Sequence, residues 1–335
     1  MLAVEIKQKA IRLGYASCGI IPATTFGEYK RYLSERARTF PQSEELYQSF
    51  YSFAQPPESG KSIIVCLQGS SQYKLPESLR GAVGRHYLFD SRLAWSYEYR
   101  AKKEFETYLG TRKINILGSD LPVRWAAARA GIGKFGRNNF IYSPEHGSYI
   151  VIDAWVVDRE IEYDAAPESF TLPRCSENCL RCVRACPTGA MSDPFSMDYG
   201  RCVAHLSFNT TGIPDEALRS QMGPWLYGCD ACQDVCPINK GKSAGSEDFP
   251  LLSQYEEYLQ PERLLTMDED TYANIVNPRF WYCGEDGLWL WRHNALRVMI
   301  NSGSAEYHRL IRECCEHADT RLRELAQWGC RRLGI

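Results

Sequence analysis

Two stretches decide how this chain folds: CSENCLRCVRACP, from Cys175 to Pro187, and CDACQDVCP, from Cys229 to Pro237, with Cys202 lying between them. As spacings they are Cys175-x3-Cys179-x2-Cys182-x3-Cys186-Pro and Cys229-x2-Cys232-x3-Cys236-Pro. Eight thiols make two four-cysteine sites, the requirement for two 4Fe-4S clusters. In ferredoxins with such runs the cysteine before proline serves the other run's cluster, because proline turns the chain away from its own. The expected partition is therefore Cys175, Cys179, Cys182 and Cys236 on one cluster, and Cys186, Cys202, Cys229 and Cys232 on the other. A pair of structural zinc sites would also use Cys-x2-Cys pairs, but zinc ribbons have no need of the Cys-x3-Cys-Pro endings that occur twice here. The other cysteines, Cys18, Cys66, Cys283, Cys314, Cys315 and Cys330, have no ligand spacing to one another and are expected as buried hydrophobes.

Around this segment the chain has 335 residues, enough for two or three domains with proper cores. Lys and Arg total 39 against 41 Asp and Glu, so no overall field marks it as a nucleic-acid or anionic-membrane binder. No run approaches the roughly 20 apolar residues of a membrane span, and the opening residues lack a secretion-signal core. The expected location is the cytoplasm, where fourteen cysteines read as metal ligands before disulfides.

N-terminal to the cysteines, helical and strand patterns alternate, as in an α/β domain. A helix opens the chain, followed by an apolar segment from Ala16 to Ile21, a helix around Phe26 to Arg38, and a buried strand from Ser62 to Leu67. Ala94, Tyr97, Ala101, Phe105, Tyr108 and Leu109 mark an amphipathic helix from about Leu93 to Leu109, with Lys102 and Lys103 facing solvent. Another helix covers Val123 to Ala130 and stops at GIGKFGRNN, and SYIVIDAWVV (148–157) is a strand. From Leu288 onward the pattern is helical only, as in a small helical-repeat (HEAT-like) cap. The expected domains are 1–165 (α/β), 166–245 (ferredoxin-like, two 4Fe-4S clusters) and 246–335 (helical).

The run WAAARAGIGKFGRNNFIYSPEHGSYIVI (125–152), then CLRCVRACPTGAM, RCVAHLSF, YGCDACQDVCPIN and the terminal RHNALRVMINSG and LRELAQWGCRRL, in that order, resemble the epoxyqueuosine reductase family. The resemblance implies an α/β corrinoid-binding domain that holds cobalamin, two 4Fe-4S clusters that deliver electrons to it, and reduction of an epoxide on a tRNA wobble nucleoside. Single-electron carriers cannot remove an epoxide oxygen alone, so a cofactor of that kind is chemically required. Gly131, Gly133 and Gly136 would let backbone approach a large planar ligand, with Lys134, Arg137 and Asn138 contacting its amides or phosphate. A plain turn after a helix explains the same glycines. No Asp-x-His-x-x-Gly run offers a histidine to cobalt, so the implied cobalamin is expected base-off.

The chain also departs from the family. Where members carry Asp-Tyr-His at a helix head, Tyr97, Glu98 and Tyr99 stand here, and the family's acid position falls on Leu117, with Asp120 the nearest carboxylate. Asp120, Tyr97 and Tyr99 are therefore the candidate proton donors, Asp120 alternatively being the N-cap of the following helix. His86 and Tyr87 could also donate protons, though a hydrogen-bonded structural histidine is the plainer reading. His205 is expected beside a cluster, and Arg124 and Arg129 in salt bridges. Eight arginines of the cap (Arg292, Arg297, Arg309, Arg312, Arg321, Arg323, Arg331 and Arg332) could face phosphate. Interleaved Glu306, Glu313, Glu316, Asp319 and Glu324 favour a solvated, salt-bridged surface, so tRNA is a doubtful partner. An external ferredoxin or flavodoxin would supply electrons to a monomer. The rival reading is an electron carrier that reduces another protein's corrinoid.

Overall fold

Seven consecutive buried residues, Ser62 to Gln68, show that the strand they form is covered on both faces. The structure, a computed structural model, describes residues 2–88, 96–172, 175–176, 178–210, 212–242 and 245–335. Strands β1 (Ser17–Pro22), β2 (Ser62–Gly69), β3 (Ile116–Gly118) and β6 (Ile150–Val157) form a four-stranded sheet in the order β1-β2-β6-β3. Every neighbouring pair is antiparallel. Helices and strands alternate along the sequence as expected, but the expected α/β arrangement is not built on parallel strands. Between β3 and β6 a short hairpin, β4 (Lys134–Phe135) and β5 (Ile141–Tyr142), stands apart from the sheet.

Period-two alternation sorts the side chains of the sheet. Cys18, Ile20, Ile64, Cys66, Trp155 and Val157 point to one face, packing against α1 (Leu2–Arg12) and α3 (Tyr97–Thr111). Ile21, Ile63, Val65, Leu67, Ala154 and Val156 point to the other, packing against α4 (Val123–Arg129). Helix α2 (Gly27–Thr39) lies beyond α4 and buries Leu33 and Ala37 with Tyr47. Leu93 and Ala94, expected at the start of α3, lie outside the described residues; from Ser96, whose hydroxyl caps the Tyr99 N–H at 3.0 Å, the helix runs as its Ala101, Phe105 and Leu109 stripe requires. Lys102 does not face solvent: its ammonium pairs at 3.0 Å with buried Asp153, which also accepts the Tyr15 hydroxyl at 3.1 Å.

The cysteine runs follow as short helices joined by turns, including α5 (Arg181–Ala185), α6 (Val203–Asn209) and α8 (Ala231–Asp234), with α7 (Glu216–Gln221) between the last two. The C-terminal region is helical, its main elements being α9 (Leu288–Ser302), α10 (His308–Glu313) and α11 (Thr320–Leu333). Its core is not self-contained. Trp291, Leu296, Leu322 and Leu325 share one apolar cluster with Tyr73, Leu79, Val83, Leu88 and Tyr227. Tyr227 stacks on Trp291 with ring centroids 4.9 Å apart. Among the described residues no helix is long and apolar enough to cross a membrane.

Candidate functional site

The cysteine thiols fall into two electrostatic neighbourhoods. Burial first, then the charges of Cys179 and Cys236, push the Cys175 thiol up from its ordinary range. Burial, with Cys175 and Cys179 beside it, does the same to Cys182. The second neighbourhood is deeper. Burial raises Cys202, with Cys186 adding to it, and raises Cys229 and Cys232, each of which also faces Cys202 and Cys186. Cys236 of the second run thus lies by Cys175 of the first, and Cys186 of the first by Cys202, Cys229 and Cys232. Buried thiols that repel one another ionise together only around a strongly cationic centre, which the iron of a cluster supplies. Among the described residues no three His, Cys, Asp or Glu side chains converge as on a single bound ion. Backbone N–H groups of Ala204 and His205 point at Cys202, and that of Ala231 at Cys229; such hydrogen bonds help set a cluster's potential.

The loop after α4 braces this segment. Gly131 ends the helix at φ +69°, a backbone conformation that glycine adopts without strain. At Gly133 a Cβ would stand 2.3 Å from Ile141, and at Gly136 2.4 Å from Tyr142, so these two glycines admit the side chains of their own hairpin. Arg137 donates to the Ser176 carbonyl at 2.7 Å. Asn138 donates to Tyr142 Oη at 2.9 Å and to the Cys232 carbonyl at 3.2 Å, and Tyr142, raised by burial, turns its hydroxyl to Cys236. Lys134 is half-buried, and its side chain has no hydrogen-bonding or ionic partner among the described residues. Asn139, at φ +64°, has its Nδ2 buried without an acceptor among them.

The candidate proton donors are not brought together. Leu117 sits at a register shift in edge strand β3 and is 36% exposed. Asp120 is exposed in the turn that follows, and the cap of α4 is Pro122 with no side-chain hydrogen bond, so Asp120 is not the N-cap. Tyr97 and Tyr99 belong to α3, on the opposite face of the sheet from α4. Tyr97 is 52% exposed, and its hydroxyl donates to the Leu13 carbonyl at 3.2 Å. Tyr99 is half-buried, with Lys103 Nζ 5.6 Å from its ring centre.

Between them the sequence conceals a buried polar chain. Glu98 accepts the Tyr73 hydroxyl at 2.6 Å; Arg85 donates to the Tyr73 carbonyl at 2.7 and 2.8 Å; and the Arg85 backbone N–H donates to Asp230 at 2.6 Å. Burial lifts Asp230, which sits beside Cys229, to about 7. The only local signal was a glutamate between two tyrosines at a helix head; Tyr73 and Asp230 are distant in sequence.

His86 is exposed, whereas Tyr87 packs among Phe208, Tyr227 and Tyr282, its hydroxyl raised far up by burial. His205 lies edge-on to Tyr199, and burial lowers it. Arg129 forms the expected salt bridge, with Glu28. Arg124 instead donates to the Asn139 carbonyl at 2.9 Å and lies by Tyr32 and Tyr199. In the cap, Arg297 is wholly buried and bonds the Gly223 and Trp225 carbonyls, so it presents nothing to phosphate.

These findings define a double-cluster iron–sulfur protein: residues 174–239 match the family described as the 4Fe-4S double cluster binding domain. The chain resembles epoxyqueuosine reductases. One from Bacillus subtilis (strain 168) is 41% identical over 212 residues, 60% of this chain and 51% of the relative. Another, from Cellulophaga algicola, is 27% identical over 267 residues, 76% of this chain and 84% of the relative. The chain thus spans about half the length of the first of these. Among solved structures, an epoxyqueuosine reductase with an epoxyqueuosine-modified tRNA-Tyr stem loop superimposes with a TM-score of 0.78 at 25% identity, covering 100% of this chain and 90% of that one. The B. subtilis enzyme with its catalytic loop swung out of the active site gives 0.79 at 26%, covering 100% and 91%.

Proposed function

We propose that the chain is an iron–sulfur oxidoreductase whose two 4Fe-4S clusters pass single electrons to a cobalamin, and that its substrate is an epoxide carried on a tRNA nucleoside. The observation that carries this reading is the crossed pair of thiol neighbourhoods within a fold shared end to end with epoxyqueuosine reductases. The eight cysteines fit two clusters in number and chemistry. For cobalamin the fit is narrower: the Lys134 side chain is free to meet its amides or phosphate, with Gly131 keeping the helix end open. When bound, the corrin would supply the nucleophilic metal chemistry that opens an epoxide, which clusters alone cannot. The protein's part is to exclude water, orient the substrate and deliver a proton to the oxygen released, by Asp120 or by Glu98.

Anaerobic reconstitution with iron, sulfide and cobalamin tests the reading. About eight irons and about eight sulfides per chain are expected, four of each per cluster. Stoichiometric zinc without thiolate-to-iron absorption would overturn it. EPR should show one base-off cobalamin per chain; superhyperfine splitting from an axial nitrogen would refute the base-off state. Full clusters with no retained cobalamin would favour an electron carrier serving another protein's corrinoid.

A further inference from the structure

Two of the cysteines outside the cluster runs meet in space. Cys315 lies in the 3-10 turn Cys314–Glu316, and Cys330 in the last turns of α11. Their Sγ atoms are 3.4 Å apart, and Cys315 also donates to the Ile311 carbonyl at 3.8 Å. Neither is a fully buried hydrophobe: both are half-exposed, whereas the adjacent Cys314 is turned into the core. A disulfide has an S–S length of about 2.05 Å, so closing the gap takes a shift of roughly 1.4 Å between a turn and the helix packed on it.

We propose that Cys315 and Cys330 form a reversible dithiol–disulfide couple, an oxidation site that exchanges with low-molecular-weight disulfides. One protein thiolate attacks a sulfur of glutathione disulfide, whose S–S bond breaks as a glutathione thiolate leaves. The second protein thiol gives up its proton and attacks the protein-side sulfur of the mixed disulfide, forming Cys315–Cys330 and releasing the second glutathione. Two protein thiols are oxidised, one external disulfide becomes two thiols, and the two protons end on the glutathiones. Burial, and the facing Cys330, push Cys315 up to about 11, so exchange is slow and follows the standing thiol–disulfide ratio, not brief oxidant pulses.

The test uses the full chain with its clusters, equilibrated anaerobically at graded ratios of glutathione to glutathione disulfide, then alkylated and cut with trypsin. Peptide 313–321 should be joined to 324–331 at oxidising ratios and separate again on reduction. In Cys330→Ser, one glutathione should remain on Cys315, and the rise in melting temperature that oxidation brings to the unaltered chain should vanish. Both cysteines still alkylated at the most oxidising ratio, or a link through Cys314, would overturn the proposal.

Discussion

A carboxyl group donates a proton usefully only if it reaches the reacting atom, and Glu98 and Asp120 lie in opposite surroundings. Asp120 is solvated in a turn, while Glu98 is buried against the Tyr73 hydroxyl. Asp120→Asn leaves α4 untouched, since Pro122 holds the cap position, so clusters and stability should persist while epoxide turnover falls by about 10²- to 10⁴-fold if Asp120 is the donor. Unchanged turnover would move the role to Glu98, with Glu98→Gln as the next variant. A second residue sets an acid limit on the fold. His293 is fully buried on α9, and burial together with Arg297 pushes it down to about 3. The unfolded chain takes up a proton near 6.5 that the folded chain refuses, so stability is full above about 6.5 and falls as the pH drops toward 3, by about 1.4 kcal/mol per unit. Melting temperatures between pH 7.5 and 5 should decline for the unaltered chain and less steeply for His293→Gln; parallel slopes would remove His293 as the cause.

At the scale of elements, the β4–β5 hairpin ties the sheet to the cluster segment through Gly136, Arg137, Asn138 and Tyr142. Gly136→Ala sets a Cβ 2.4 Å from the Tyr142 ring and 3.0 Å from Asn138 Oδ1. Such overpacking costs about 1–3 kcal/mol, and it should loosen the cluster nearest Tyr142, seen as a lower denaturant midpoint and faster iron loss to a chelator. Gly131→Ala meets nothing closer than 3.9 Å and carries only backbone strain, so iron retention there should be near normal. Elements like these were legible where local period decides them. Ile63, Val65 and Leu67 announce a buried strand, and Ala101, Phe105 and Leu109 a helix, because each stripe has one place to go. Strand direction was not legible, since alternation along the chain is the same for parallel and antiparallel partners. Lys102 was misread because its carboxylate, Asp153, lies on a strand 51 residues later. The Glu98–Tyr73–Arg85–Asp230 chain was hidden for the same reason. The short cysteine motifs were the most legible of all, because their spacing is itself the constraint.

Across the whole molecule, the interleaving of distant segments is what the function would depend on. The core under the C-terminal helices draws on residues 73–88 and on Tyr227, two residues before Cys229, so disturbance of the cap should reach the second thiol group. The crossed ligand sets impose a similar dependence between the two cysteine runs. If Cys186 belongs with Cys202, Cys229 and Cys232, then Cys186→Ser must damage the cluster of the second run although the residue lies in the first. Cys186→Ser and Cys229→Ser should each leave about four irons per chain, one cluster's complement, with one shared residual EPR spectrum and reduction potential. Cys179→Ser should leave the other cluster, and hence a different spectrum. The comparison does not require an assignment of either signal, only their identity or difference. Should Cys186→Ser match Cys179→Ser instead, each run would hold its own cluster, and the proline after Cys186 would not be redirecting that thiol across the domain.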